Sequence, residues 1–429
     1  MSKLKKIFKS DFFKVSLWSG VATIVRMGVN LAISKILAVL VGPSGFALVG
    51  QLQNGLAIFR TLSTGAISNG VTKYVAEFND EKAKQQRYII AALRITIFCS
   101  FTIMIVTLLF SKAISVYLFH TVDYRSIIIF FALGIVFFAL NGIFLAIING
   151  FKRYKVFISA SIVGAIFLLI LSLVLVFYLN LYGALLAFSI GQSLVFFVTA
   201  YWIRKDIIQW LKNLVSEKID KQLYKQLFSF SLMALTSALV VPFSEILIRN
   251  YITDNISLNA AGIWEGMNKI STTYLGVITL SLSTYYLPKI SGIKVKTELL
   301  KEISKVMKLV APATIMLGVL IYLLRDFIIS ILFTAEFTEM RELFAVKMLG
   351  DSFKIMSWVL SFVMLAKAMT VEFILTEIIF SIAMVLLSFF LMAKYQLIGS
   401  IYAYAINYFL YLVILYFIII FSNLKVVKS

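Results

Sequence analysis

Residues 156–203 read VFISASIVGAIFLLILSLVLVFYLNLYGALLAFSIGQSLVFFVTAYWI, without one Asp, Glu, Lys, Arg or His. A bilayer core of about 30 Å takes roughly 20 helical residues per crossing. The stretch therefore holds two spans, 156–179 and 182–203, parted by the turn residues Asn180 and Gly183.

Working outward, the same criterion marks four earlier spans, 15–41, 46–78, 88–110 and 126–148. Six more follow at 227–248, 259–287, 303–324, 343–366, 371–393 and 398–421. Gly42, Pro43 and Gly45 part the first pair, and Asn149 with Gly150 closes the fourth span. Hydrophobic residues make up 61% of the 429 and charged residues 14%, so lipid is the solvent of this chain. The apolar stretch behind the N-terminal lysines runs on to Val41, too far for a cleaved signal peptide, and reads as a retained span.

The net charge of +20 lies at membrane ends. With the N-terminus inside, 26 Lys and Arg fall at inner ends and loops, among them Lys3, Lys5, Lys6, Lys9, Lys14, Arg87 and Arg153, against six outside. This asymmetry predicts a multi-pass membrane protein with both termini cytoplasmic. No separate basic domain exists, so nucleic acid is not an expected partner. His120 and Cys99 are each the sole residue of their type, which leaves no histidine-based metal site or triad and no internal disulfide.

The halves echo one another. Phe13, Ser16, Leu17 and Val25 recur as Phe228, Ser231, Leu232 and Val240, and Gly50 and Lys73 as Gly266 and Lys289. Six spans per half makes the halves parallel repeats, an arrangement typical of alternating-access transporters. The expected organisation is a six-helix bundle at 1–205, a cytoplasmic amphipathic linker at 206–225 and a second six-helix bundle at 226–429. In the linker, Ile207, Trp210, Leu211, Leu214 and Val215 make an apolar stripe, read as a helix lying on the inner membrane surface.

Ionisable residues deep inside spans are costly and mark substrate or ion paths. Here they are mostly cations: Arg26 and Arg60 in the first half, Lys269 and Lys354 in the second, with Lys35 a weaker candidate and Arg94 near enough the interface to snorkel. Lys347, Asp351 and Lys354 share one helix face at i, i+4 and i+7. Glu265 with Lys269 and Glu245 with Arg249 form i, i+4 pairs whose role stays open between structural and functional. Glu377 has no oppositely charged i±3 or i±4 neighbour and is the candidate site for a coupling proton or sodium ion. A cavity lined with fixed cations prefers an anionic cargo, and arginine forks suit phosphate oxygens.

At this point residues 69–74 (NGVTKY), Arg325-Asp326-Phe327, residues 337–344 (FTEMRELF), Leu349-Gly350-Asp351 to Lys354 and Ala366-Lys367-Ala368 resemble Wzx-type lipid-linked oligosaccharide flippases of O-antigen and enterobacterial common antigen assembly. The resemblance runs from Ser16-Leu17-Trp18 to the twelfth span. It implies membership of the multidrug, oligosaccharidyl-lipid and polysaccharide exporter superfamily, with MurJ and the multidrug and toxin extrusion (MATE) pumps as relatives. The implied fold is an all-α integral membrane protein of twelve transmembrane helices in two pseudo-symmetric six-helix bundles, V-shaped as in those relatives. The implied cargo is an oligosaccharide on undecaprenyl pyrophosphate, flipped from the cytoplasmic to the periplasmic leaflet, with other polysaccharide-assembly membrane proteins as neighbours. A diphosphate head suits the cationic lumen expected from the residues themselves, with Arg26, Arg60, Lys269, Lys354, Lys35, Lys347 and Asp351 as its lining. No cofactor or metal is expected beyond a coupling proton or sodium gradient. Glu265 and Lys269 depart from the uncharged polar pair expected of the nearest relatives. Two other readings compete: an ion-coupled multidrug exporter of the same fold, which would want lone lumen carboxylates, and a membrane polymerase or glycosyltransferase. The latter would carry a large outer loop or a carboxylate cluster, and the sequence has neither, so no enzyme is expected.

Overall fold

The computed structural model describes residues 11–215, 217, 219–229 and 231–421. Lys3, Lys5, Lys6, Lys9, Lys218 and residues 422–429 lie outside them, and with them the expected positions of the two chain ends. The described chain is all-α. In order come α1 (Asp11–Leu40), α2 (Gly42–Ser63), α3 (Ser68–Glu77), α4 (Lys82–Leu109), α5 (Ser111–Phe119), α6 (Arg125–Gly150) and α7 (Tyr154–Trp202). Next are α8 (Arg204–Asn213), α9 (Lys221–Ser229), α10 (Ser231–Asn255), α11 (Leu258–Ser281), α12 (Leu287–Gly292), α13 (Lys296–Leu323) and α14 (Arg325–Leu332). A 3₁₀ helix (Ala335–Leu343), α15 (Phe344–Ala366), α16 (Thr370–Tyr395) and α17 (Leu397–Phe421) complete the order.

Among the described residues nine helices are long and apolar enough to cross a membrane. One of these, α7, has 49 residues and holds Asn180 at φ 48° and ψ −128°, so it is two spans meeting at the expected turn. The 22-residue α2 and the 24-residue α11 are long enough but carry polar residues, Gln51, Asn54 and Arg60 in one and Glu265, Asn268 and Lys269 in the other. Counting these, the elements are consistent with twelve crossings.

Two stretches differ from expectation. The segment 46–78 is too long for one crossing, and α2 ends at Ser63 before α3 begins at Ser68. Gly65 (φ 64°) and Ala66 (φ 53°) reverse the chain, their amides bonding back to Leu62 and Thr61 carbonyls at 3.0 and 3.1 Å. This is the way a helix closes on a left-handed residue. The linker likewise is two short helices, α8 and α9, rather than one. Its stripe is also divided: Trp210 is buried, and Ile207 and Leu214 pack with it on Phe144, Ile147 and Ile203, while Ile208, Leu211 and Val215 remain exposed.

The break after α8 is capped from a distance. Arg94 of α4 donates from Nε to the Leu214 carbonyl at 2.8 Å and from Nη2 to those of Glu217 and Val215 at 2.8 and 3.2 Å. Carbonyls at a helix C-terminus have no internal donors and carry partial negative charge, which a guanidinium answers on both counts. Arg94 therefore holds the linker. Arg87 adds an ion pair to Glu217 at 3.1 Å, and Arg153 binds Asp206 at 2.6 Å.

By its contacts the chain forms two compact units, one comprising residues up to Val41 with Gln51–Leu239, the other Gly42–Gly50 with Val240 onward. In the first, α6 packs along α4 and α7, and α1 lies along α7. In the second, α15 is central, with α11, α13 and α17 against it. The first turns of α2 lodge in this second unit. Phe46 meets the rings of Phe333 and Phe337, each at 5.8 Å. A Cβ on Gly262 would stand 1.8 Å from the Pro43 carbonyl oxygen, so only glycine lets the two backbones touch.

Candidate functional site

The second unit contains a cavity of about 100 Å³ bounded by α10, α11, α15, α16 and α17. Its charged lining is Glu245, Lys347, Lys354 and Glu377, set among Asn268, Ser271, Tyr404, Asn407 and Tyr408. Lys347 and Lys354 reach it together because both stand on one face of α15. Asp351, between them in sequence, is sunk into the helix packing at 1% exposure.

Asp351 is held by three hydroxyls. Ser271 and Tyr274 of α11 each donate to Oδ2 at 2.6 Å, and Tyr404 of α17 donates to Oδ1 at 2.6 Å. A buried carboxylate needs such donors, since leaving a charge unbonded in a low-dielectric interior is among the costliest defects. Lys347 donates to Asn268 Oδ1 at 2.8 Å, and its ammonium stands 3.4 Å from the Tyr404 ring centroid. Tyr404 thus serves both charges: its hydroxyl binds the carboxylate and its face takes the ammonium. Gly350 makes room for it, because a Cβ there would lie 2.6 Å from the ring. Lys354 sits within 5.0 to 5.4 Å of the Tyr408, Trp358 and Tyr404 ring centroids.

Glu377, the expected coupling residue, lines this same cavity from α16 together with Glu245 of α10. Lys269 does not line it and is half-buried on α11. Glu265 also has a partner on another helix. The guanidinium of buried Arg249 is ion-paired with Glu265, with Trp264 stacked 5.3 Å away.

The first unit carries a separate cleft of about 290 Å³, lined by Arg60, Thr61, Thr64, Ser68, Asn69 and Phe138. The turn after α2 creates it by breaking the helix beside Arg60. Half-buried Arg60 donates from Nη2 to the Phe188 carbonyl at 2.9 Å and rests 4.8 Å over the Phe138 ring. Its Nε is buried without a hydrogen-bond partner among the described residues. Arg26, also in this unit, is exposed and donates to Thr23 Oγ1 at 3.2 Å, while Lys35 is half-buried.

Sequence reasoning missed Asn268, Ser271, Tyr274, Tyr404 and Tyr408. A search for buried charge passes over hydroxyls and amides. The available signal was the spacing of Tyr404, Tyr408 and Tyr411, which puts three phenols on one face of an otherwise apolar span.

Residues 12–294 match the family described as polysaccharide biosynthesis protein. The lipid III flippase of Escherichia coli (strain K12) is 32% identical over 399 residues, 93% of this chain and 95% of that protein. An inward-facing multidrug resistance MATE family transporter of the MOP superfamily matches the fold at a TM-score of 0.78 and 12% identity, covering 95% of this chain and 100% of the transporter. The lipid II flippase MurJ in an inward closed conformation matches at 0.72 and 16% identity, over 96% of this chain and 89% of MurJ.

Proposed function

This chain belongs to the polysaccharide biosynthesis protein family, and from that membership we propose that it is a flippase for an oligosaccharide linked to undecaprenyl pyrophosphate. It works in the bacterial inner membrane with both termini cytoplasmic, moving its cargo to the periplasmic leaflet by alternating access. It is a transporter and catalyses no bond change. The observation that carries the reading is Arg60: a guanidinium at a cleft, with Nε unpartnered among the described residues. Diphosphate oxygens supply what that group lacks, an acceptor and a counter-charge. Arg26 and Lys35 of the same unit, and Lys269, Lys347 and Lys354 of the other with Asp351 fixing its neighbours, complete the cation set offered to the cargo. Glu377, beside Lys354 in the second cavity, couples the cycle to a proton or sodium gradient.

The test is transport of a fluorescent undecaprenyl-pyrophosphate oligosaccharide in proteoliposomes. Arg60→Ala abolishes flipping at matched insertion and Arg60→Lys retains part of it. Wild-type flipping by both Arg60→Ala and Arg26→Ala would overturn the cationic mechanism. In the same vesicles Glu377→Gln removes the dependence on an ion gradient, and unchanged dependence excludes Glu377 from coupling.

A further inference from the structure

The N-terminal half of α13 carries Lys301, Lys305 and Lys308 at i, i+4 and i+7, all exposed. On a helix of 3.6 residues per turn they form one stripe about 10 Å long at 1.5 Å per residue. The same stripe continues as Leu309, Ile315, Met316 and Val319, exposed by half or more. Polar surface thus changes to apolar in a single step, between Lys308 and Leu309. The opposite face, with Leu299, Ile303, Thr314 and Gly318, is buried.

Nearby carboxylates do not cancel the stripe. Glu302 is bound to Lys289 of α12 at 2.6 Å, and that ammonium stands 5.5 Å from the ring of exposed Tyr285. Glu298 is the one acid on the lysine face, which leaves the three lysines in excess. Pro312, lacking an N–H, also leaves the Lys308 carbonyl without its helical donor at the same level.

We propose that this stripe is a docking site for an anionic diacyl phospholipid, its phosphate on Lys301, Lys305 and Lys308 and its acyl chains along Leu309, Met316 and Val319. Charge and apolar surface are arranged in the order headgroup then tail, which an acidic peptide would not use. Exposed Tyr285, beside Lys289, adds the residue type that gathers where membrane meets water. The lipid is resident on the protein, so the site stands apart from the cargo and from the cation set proposed to hold it.

Native mass spectrometry of the purified full chain, titrated with phosphatidylglycerol and with phosphatidylcholine, tests the proposal. Each lysine contributes about fivefold to anionic preference. Lys301→Gln/Lys305→Gln/Lys308→Gln should therefore bind phosphatidylglycerol on the order of a hundredfold more weakly, with phosphatidylcholine binding unchanged. The corresponding triple arginine variant should bind as wild type does. Equal binding of the two lipids by wild type, undiminished phosphatidylglycerol binding by the glutamine variant, or loss in the arginine variant would each overturn the site.

Discussion

Tyr404 donates a 2.6 Å hydrogen bond to the buried carboxylate of Asp351, joining α17 to α15 at the floor of the second unit's cavity. Tyr404→Phe removes that donor and keeps the ring under Lys347. A hydrogen bond lost to a buried charge costs about 1–3 kcal/mol, so the melting temperature in detergent should fall, and fall further in Tyr404→Leu. An unchanged midpoint in Tyr404→Phe would show that the bond contributes nothing.

Gly350→Ala tests the seat of that ring. The new Cβ meets ring atoms at 2.6 and 2.9 Å and the Ala405 Cα at 3.2 Å. Overpacking of this kind costs about 1–3 kcal/mol. Because the first clash is with Tyr404, combining Gly350→Ala with Tyr404→Ala should cost less than the two changes added together. Additive losses in thermal unfolding would assign the damage to the backbone of α17 instead.

Arg94→Ala should free the linker from α4. Three carbonyls lose their donor, and with the opening equilibrium eased by a charged hydrogen bond or more, tryptic cleavage at Lys212 and Lys221 should speed up by at least about tenfold. Densitometry of a limited digest reads this directly. Digestion at the wild-type rate would mean that Trp210 and its apolar neighbours hold the linker unaided.

The Lys289 to Glu302 pair makes a pH prediction. The hydrogen bond to Glu302 raises Lys289 above its ordinary value of 10.5. A raised lysine stabilises below its unfolded value and loses that stabilisation as pH climbs through the folded one. The difference in melting temperature between wild type and Glu302→Gln should stay constant from neutral pH upward and shrink only above about 10.5. Shrinkage between pH 7 and 9 would contradict the assignment.

Orientation is checked on a Cys99→Ser background carrying Lys212→Cys. An impermeant thiol reagent should label intact cells only after permeabilisation, and labelling without it would invert the proposed topology.

Features set by local sequence were legible. The turn at Asn180 and the shared face of Lys347, Asp351 and Lys354 need only a helical repeat and a turn residue to be foreseen. Features set by distant partners were not. Arg94 reads only as a cation near the interface, because its partner, the Leu214 carbonyl, lies 120 residues on. Glu265 reads as the mate of Lys269, and nothing in the spacing shows that α10 also brings Arg249 to it. The phenols around Asp351 escaped because a hydroxyl inside a span is cheap, and composition carries no mark of whether it is spent on a carboxylate or on its own helix backbone. The break in α2 had a sign, Thr64-Gly65, that span counting overrode.

The seat of Pro43 and Phe46 on residues 262 to 337 sets a constraint in time. The ribosome makes Gly42–Gly50 early, yet the surface that receives it, Gly262, Phe333 and Phe337, emerges some 200 residues later. Contacts of such long sequence separation close slowly. The start of α2 must therefore stay unclaimed through synthesis of the first unit, exposed to premature pairing with whatever apolar helix arrives first. A chain released before residue 262 would end with that segment orphaned, and it is there that a quality-control protease or chaperone would find its first foothold.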